Sequence, residues 1–237
     1  DAANIYIALL HDCGDGKFVL AGADISTGEA FYASYAGETA AQQIMDELYR
    51  RMTAELLLTE GFSLSDTVRA FLMQRLPRCA VSMVAAEADG ALLTQHFTAT
   101  EIPADAGAQT AVETLLHYLH DTVRTDLSQI NRLSFLDTRE TMQLDTYTLR
   151  NLEITRSLRD GGKKNTLFDV LDFTRTPMGT RLLRAWLEHP LLTPHRIDAR
   201  LDAVAELVEN AGLRGTLREQ LRSVYDFERL LTRIETQ

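Results

Sequence analysis

Asp12, Asp15 and Asp24 are of the residue type that holds paired divalent ions for phosphodiester cleavage. Such a site needs carboxylates on neighbouring strands, one of them on the first. The first strand-like run, Asn4 to Leu10, offers only Asn4 and Tyr6 as polar side chains. Asp12 and Asp15 fall in a glycine-containing turn, where acids commonly serve backbone geometry, and Asp24 ends the second run. A metal-dependent nuclease with a helical accessory domain is therefore the alternative reading, with no catalytic residue assigned. His117 and His120, three apart on a helical stretch, have a spacing that can share a metal. No Cys, Asp or third His completes that set in sequence, and surface histidine is the ordinary reading. Cys13 and Cys79 are isolated, which suits a reducing compartment. No G-x-x-x-x-G-K-S/T loop is present to cradle phosphates. The expectation is thus no catalytic, cofactor-binding or metal-binding residue.

The elements that would position these residues fall into two kinds. Asn4 to Leu10, Lys17 to Asp24 and Glu29 to Tyr35 read as three strands joined by short turns. A helix over Glu38 to Met52 follows, then a strand over Ala54 to Thr59. Ser63-x-x-Asp66 has the spacing of a capping box and opens a helix that Pro77 ends. Cys79 to Val84 is a final strand. The order βββαβαβ is that of a ribonuclease-H-like mixed sheet. Ala85 to Gly107 turns to Ala, Asp, Gly and Thr and reads as a linker, with a short helix near Asp89 to Phe97. From Ala108 the pattern is mainly helical, with Ala111, Leu115, Leu116, Leu119 and Val123 on one stripe. Ile130 to Leu144 is less regular, with room for a short extended segment. A helix is expected from about Asp145, stopped by Gly161-Gly162. Thr176-Pro177 and Thr193-Pro194 each set a capping hydroxyl before a proline at the first helical position, and Gly212 is expected to break the helix after Val208. The helical pattern then runs on through Phe227, Leu230, Leu231 and Ile234.

Charge narrows the partners. The chain of 237 residues carries a net -10, with 45% hydrophobic and 24% charged residues. Residues 1 to 100 hold 13 acids and 6 bases, so that part as a whole is no phosphate-binding surface. Residues 150 to 200 hold 10 bases and 6 acids, a modest basic stretch whose plainer reading is helix faces paired with Asp198, Asp202 and their neighbours. No apolar run approaches the ~20 residues that span a bilayer, so no membrane segment is expected, and the cytoplasm is the default compartment. The chain opens at Asp1 and closes inside a helical pattern, which reads as a piece of a longer protein.

Three ordered blocks carry a resemblance. Leu144 to Ile154 (LDTYTLRNLEI), Thr166 to Leu191 (TLFDVLDFTRTPMGTRLLRAWLEHPL) and Ile197 to Leu207 (IDARLDAVAEL) resemble the core, or lever, domain of the MutS family of DNA mismatch repair proteins. Asp24 to Phe31 (DISTGEAF) is similar to a signature of that family's connector domain, one domain upstream. The resemblance implies a ribonuclease-H-like connector over 1–104 and a helical core domain over 105–237 that stops before the clamp. It implies that Asn151, Leu152, Glu153, Thr176, Pro177, Gly179, Arg181, Trp186 and Pro190 are packing and orientation residues of the core. It also implies that this stretch is no enzyme, since ATP and Mg would bind in an ATPase domain elsewhere, and that the Phe-x-Glu mismatch reader is absent. Mismatched duplex DNA would be bound by the full-length homodimer. The acidic connector would present a surface to MutL, and Leu92, Gln95, His96 and Phe97 are assigned to that contact.

Overall fold

The computed structural model describes residues 5–123 and 127–230, with the side chain of Val123 left out. The chain divides into two compact units, the first running to Leu136 and the second spanning Asp137–Phe227.

The first unit is organised by alternation. Strands β1 (Tyr6–Gly14), β2 (Lys17–Asp24) and β3 (Glu29–Ala36) form an antiparallel meander, while β4 (Glu55–Thr59) pairs parallel with β1 and β5 (Ala80–Val84) parallel with β4. A sixth strand, β6 (Arg132–Phe135), pairs parallel with β3, giving the order β5-β4-β1-β2-β3-β6. Because side chains alternate across a sheet, β1 to β4 each feed two cores. Leu9, Val19, Ala21, Ala23, Ala30 and Leu57 face one, together with α4 (Ala106–Val123) and Leu93 of α3 (Ala91–His96). Ala8, Leu10, Leu20, Phe31, Ala33, Leu56 and Leu58 face the other, with Ile44 and Leu48 of α1 (Ala40–Arg51) and Val68 and Leu72 of α2 (Ser65–Arg75). Burial on both faces requires near-continuous apolar strands, and β2 and β4 are of that kind.

This arrangement differs from the sequence expectation in where the sheet ends. The expected boundary at 104/105 lies inside the first unit, because α4 covers the sheet and β6 adds its edge strand. Ser63 does not cap α2; its amide and hydroxyl both donate to Asp12 Oδ2.

The second unit is helical: α5 (Thr146–Asn151), α6 (Leu167–Leu171), α7 (Pro177–Glu188), α8 (Pro194–Glu209) and α9 (Ala211–Leu221). The helix expected from Asp145 to the Gly161-Gly162 stop is only one turn and a half. Asp145 caps its start, but Glu153 adopts a left-handed φ of 46° and turns the chain out. Gly161 and Gly162 instead close a loop on Ser157. Thr193 makes no side-chain cap, so at α8 proline alone sets the start. Gly212 breaks nothing. Asn210 ends α8 and its side chain accepts from Leu213 N at 2.9 Å to open α9, with Gly212 inside the first turn. Residues beyond Leu230, including Leu231 and Ile234, lie outside the described ones.

One close approach in the sheet is testable. Gly22 lies opposite Phe31, whose ring occupies the space a Cβ would need. The guanidinium of Arg51 sits 3.6 Å from the centroid of that ring and is ion-paired with Glu47, so the ring is held on both sides. Gly22→Ala should lower stability by about 1–3 kcal/mol, the usual range for overpacking. Urea unfolding would read this, and adding Phe31→Leu should recover part of the loss.

Candidate functional site

The acids that could have formed a two-metal site do not meet. In the antiparallel pairing of β1 with β2, Tyr6 stands opposite Asp24 and Asp12 opposite Phe18, so Asp12 and Asp24 lie at opposite ends of the hairpin. Six rows at ~3.3 Å separate them by roughly 20 Å, against the ~4 Å of a two-metal centre. Each has another task. Asp24 is fully buried, and its Oδ1 accepts from the amides of Ile5 and Ser26 and from the Ser26 hydroxyl. Its carbonyl accepts from Thr27 and Gly28, which shapes the DISTG turn. Gly28 is required there because its φ is +75° and a Cβ would strike the Gln129 carbonyl. Partial burial raises the Asp12 carboxyl, but hydrogen bonds from Ser63 and Gly14 outweigh it and hold the group below its ordinary value.

Several residues of the motif in the second unit fix local geometry. The Thr176 hydroxyl accepts from Gly179 N at 3.0 Å, and Pro177 follows at the first helical position. The space where a Cβ of residue 179 would stand is bounded by that hydroxyl, at 3.0 Å, so the cap and the glycine fit each other. Arg181 holds Asp226 through two parallel bonds of 2.7 and 2.8 Å, a fork geometry that sets orientation as well as charge. Trp186 lies under the Arg200 guanidinium at 3.8 Å. It lines a shallow apolar pocket of about 390 Å³ with Pro190, Leu191, Ile197, Leu201 and Val204. The Pro190 carbonyl accepts from Met142 N at 2.7 Å, tying the end of α7 to residues 140–142. Asn151 ends α5, and Leu152 is exposed. Glu153 is a corner: its carbonyl accepts from Leu167 and its carboxylate from Leu158 N, so one residue joins the end of α5 to the start of α6.

Four of the basic residues of 150–200 pair differently from expectation. Lys163 meets Asp172, Arg181 meets Asp226, Arg184 meets Glu188 and Arg196 meets Glu140. Asp198 and Asp202 do not supply these bonds, because the partners come from other elements or from the next helical turn. Burial raises the Asp172 carboxyl, but Lys163 and Thr174 outweigh it and hold it below its ordinary value.

Of the residues assigned to a partner, the structure leaves Gln95 exposed and draws the others in. Phe97 is buried in the sheet's core, Leu92 packs against that core, and His96 Nδ1 lies 3.0 Å from the Ile130 carbonyl. A cluster that spacing did not reveal lies beside them. His117 does not converge with His120, which is near Asp121, but faces Glu113 one turn earlier and Asp89 from the preceding loop. The Glu113–His117 spacing of four was a usable signal; Asp89 comes in only through the fold.

No helix among the described residues is long and apolar enough to cross a membrane. A mixed sheet sheathed by helices and followed by an array of capped helices defines a scaffold built from two units. Residues 147–237 match the family model described as MutS domain III. The chain is 35% identical to the DNA mismatch repair protein MutS of Brevibacillus brevis, over 99% of this chain and 26% of that protein. It is 37% identical to that of Pelotomaculum thermopropionicum and 34% to that of Methanosarcina mazei, in each case over 99% of this chain and 28% of the relative. The chain belongs to the MutS family, and it spans about a quarter of the length of the curated relatives it matches.

The fitted cap at α7 gives a double-mutant test. Gly179→Ala should be less favourable by about 0.5–1 kcal/mol in the presence of Thr176 than in a Thr176→Ala background, where helix propensity alone acts. Thr176→Ala by itself should cost about 1 kcal/mol. Denaturant melts of the four proteins would measure the coupling, and simple additivity would mean that cap and glycine are independent.

Proposed function

We propose that this chain is a force-transmitting segment of a DNA mismatch repair protein. The sheet-bearing unit that runs to Leu136 acts within a ribonuclease-H-like connector domain, and the helical unit that follows it acts as the first part of the core, or lever, domain. The observation that carries this reading is likeness to MutS proteins along 99% of the chain. The element order and the mixed sheet support the connector assignment. Packed elements shift between discrete arrangements rather than deforming continuously, which suits them to relay a change between distant sites. The start of α7 is fixed by Thr176 and Pro177, and one face of that helix is locked to Asp226 by Arg181. Motion imposed at one end is then carried as rotation of a stiff body. ATP with Mg acts elsewhere in the whole protein, as does recognition of mismatched duplex DNA by its homodimer in the cytoplasm. The ion pairs that Lys163, Arg181, Arg184 and Arg196 make support a bracing role for them over phosphate binding.

MutL is the proposed partner of the first unit. Its excess of acids favours a protein surface over DNA, and Gln95 is the residue of the 92–97 segment best placed to be touched.

Exchange of this chain for the aligned segment of Brevibacillus brevis MutS tests the reading. The chimera should bind mismatched DNA, release it on ATP addition and restore a low mutation rate. Arg181→Ala in that chimera should slow ATP-driven release severalfold while leaving mismatch affinity and ATP hydrolysis within about twofold. Release unaffected by Arg181→Ala, in a chimera that folds and hydrolyses ATP, would remove the transmission claim.

A further inference from the structure

Asp89, Glu113 and His117 bring three ligand atoms within 4.8 Å of one another at the base of α3. They come from two elements that the fold ties together. Thr114 Oγ1 accepts from Glu87 N at 2.9 Å, pinning the loop that carries Asp89 onto α4, while Glu113 and His117 stand one turn apart on α4 itself. Glu113 is buried, and its two oxygens accept from the amides of Leu92 and Leu93 at 2.9 and 2.8 Å, which fixes the carboxylate in place. Asp89 is turned toward the same point by the Ala91 amide, following a left-handed Gly90. Only Asp89 is largely open to water.

The nitrogen at the centre of this group lacks a hydrogen-bond partner. His117 Nε2 is shut off from solvent, and neither carboxylate meets it with hydrogen-bond geometry. It stands 3.3 Å from Glu113 Oε1 and 3.6 Å from Asp89 Oδ1. A tetrahedral ion with arms of about 2.0–2.2 Å has edges of roughly 3.3–3.6 Å between its ligands. One imidazole and two carboxylates form a donor set suited to zinc and its neighbours rather than to calcium, which prefers six to eight oxygens.

We propose that Asp89, Glu113 and His117 bind one divalent transition-metal ion, with water completing the shell on the Asp89 side. The site clamps the Asp89 loop and the start of α3 to α4. Glu113 is held by the backbone amides of Leu92 and Leu93, so it is preorganised rather than recruited.

Calorimetric titration of the chain with Zn²⁺ at neutral pH, and Co²⁺ absorption as a second probe, would test this. One equivalent should bind, and Co²⁺ should show the intense visible bands of a low-coordinate site. His117→Ala and Asp89→Asn should each weaken Zn²⁺ binding at least tenfold, while His120→Ala should leave it unchanged. His117→Gln, which keeps the size of the side chain, serves where His117→Ala unfolds. The proposal is overturned if the wild-type chain takes up no stoichiometric Zn²⁺, or if its affinity is the same after His117→Gln.

Discussion

A sheet that must be buried on both faces governs the first unit. Once β2 and β4 carry apolar side chains in both directions, neither face can be left to water, and each needs its own layer of helix. One layer comes from α1 and α2, between β3 and β5. The other cannot come from the same stretch of chain, since α1 and α2 are committed. It is supplied by α4, far downstream, and the chain then returns to add β6 beside β3. The placement of Asp89, Glu113 and His117 follows from this return, because α4 must cross the sheet beside the loop that leaves β5. Tyr118 fixes the crossing by donating to Glu55 of β4 at 2.6 Å.

The second unit is held together by different means. Neither α7, α8 nor α9 contains a buried residue, and Val204 and Val208 stay largely exposed although they lie on the helix's apolar stripe. Order there rests on a small buried set, Leu149, Ile154 and Phe168, and on end conditions and paired charges: the Thr176 and Asn210 caps, the Glu153 corner, the Arg181–Asp226 fork and the stacking of Arg200 on Trp186. The caps and paired charges specify direction well and contribute little stability each.

How far the sequence foretold this depends on the kind of signal. Strand alternation and the Thr176-Pro177 start were legible because their causes are local. Ser63 and Thr193 had equally suitable chemistry and did not cap, since Asp12 claimed the first. Gly212 looked like a stop, yet Asn210, two residues earlier, ends one helix with its backbone amide and begins the next with its side chain. The position of α4 was not legible. An amphipathic stripe says that a face is buried but not against what, and a helix for a bundle and a helix for a sheet read alike. The cluster around His117 was hidden for the same reason, as its third member lies 24 residues before Glu113 and 28 before His117. The family resemblance singled out a motif in the second unit, within which Thr176, Pro177, Gly179 and Arg181 fix the start and one face of α7.

The parallel pairing of β3 with β6 joins residues about a hundred positions apart. During vectorial synthesis β3 therefore leaves the ribosome with one edge unpaired, and α4 has not yet closed over the adjoining apolar face. Until residues 132–135 emerge, the nascent sheet offers a sticky border to any neighbouring chain.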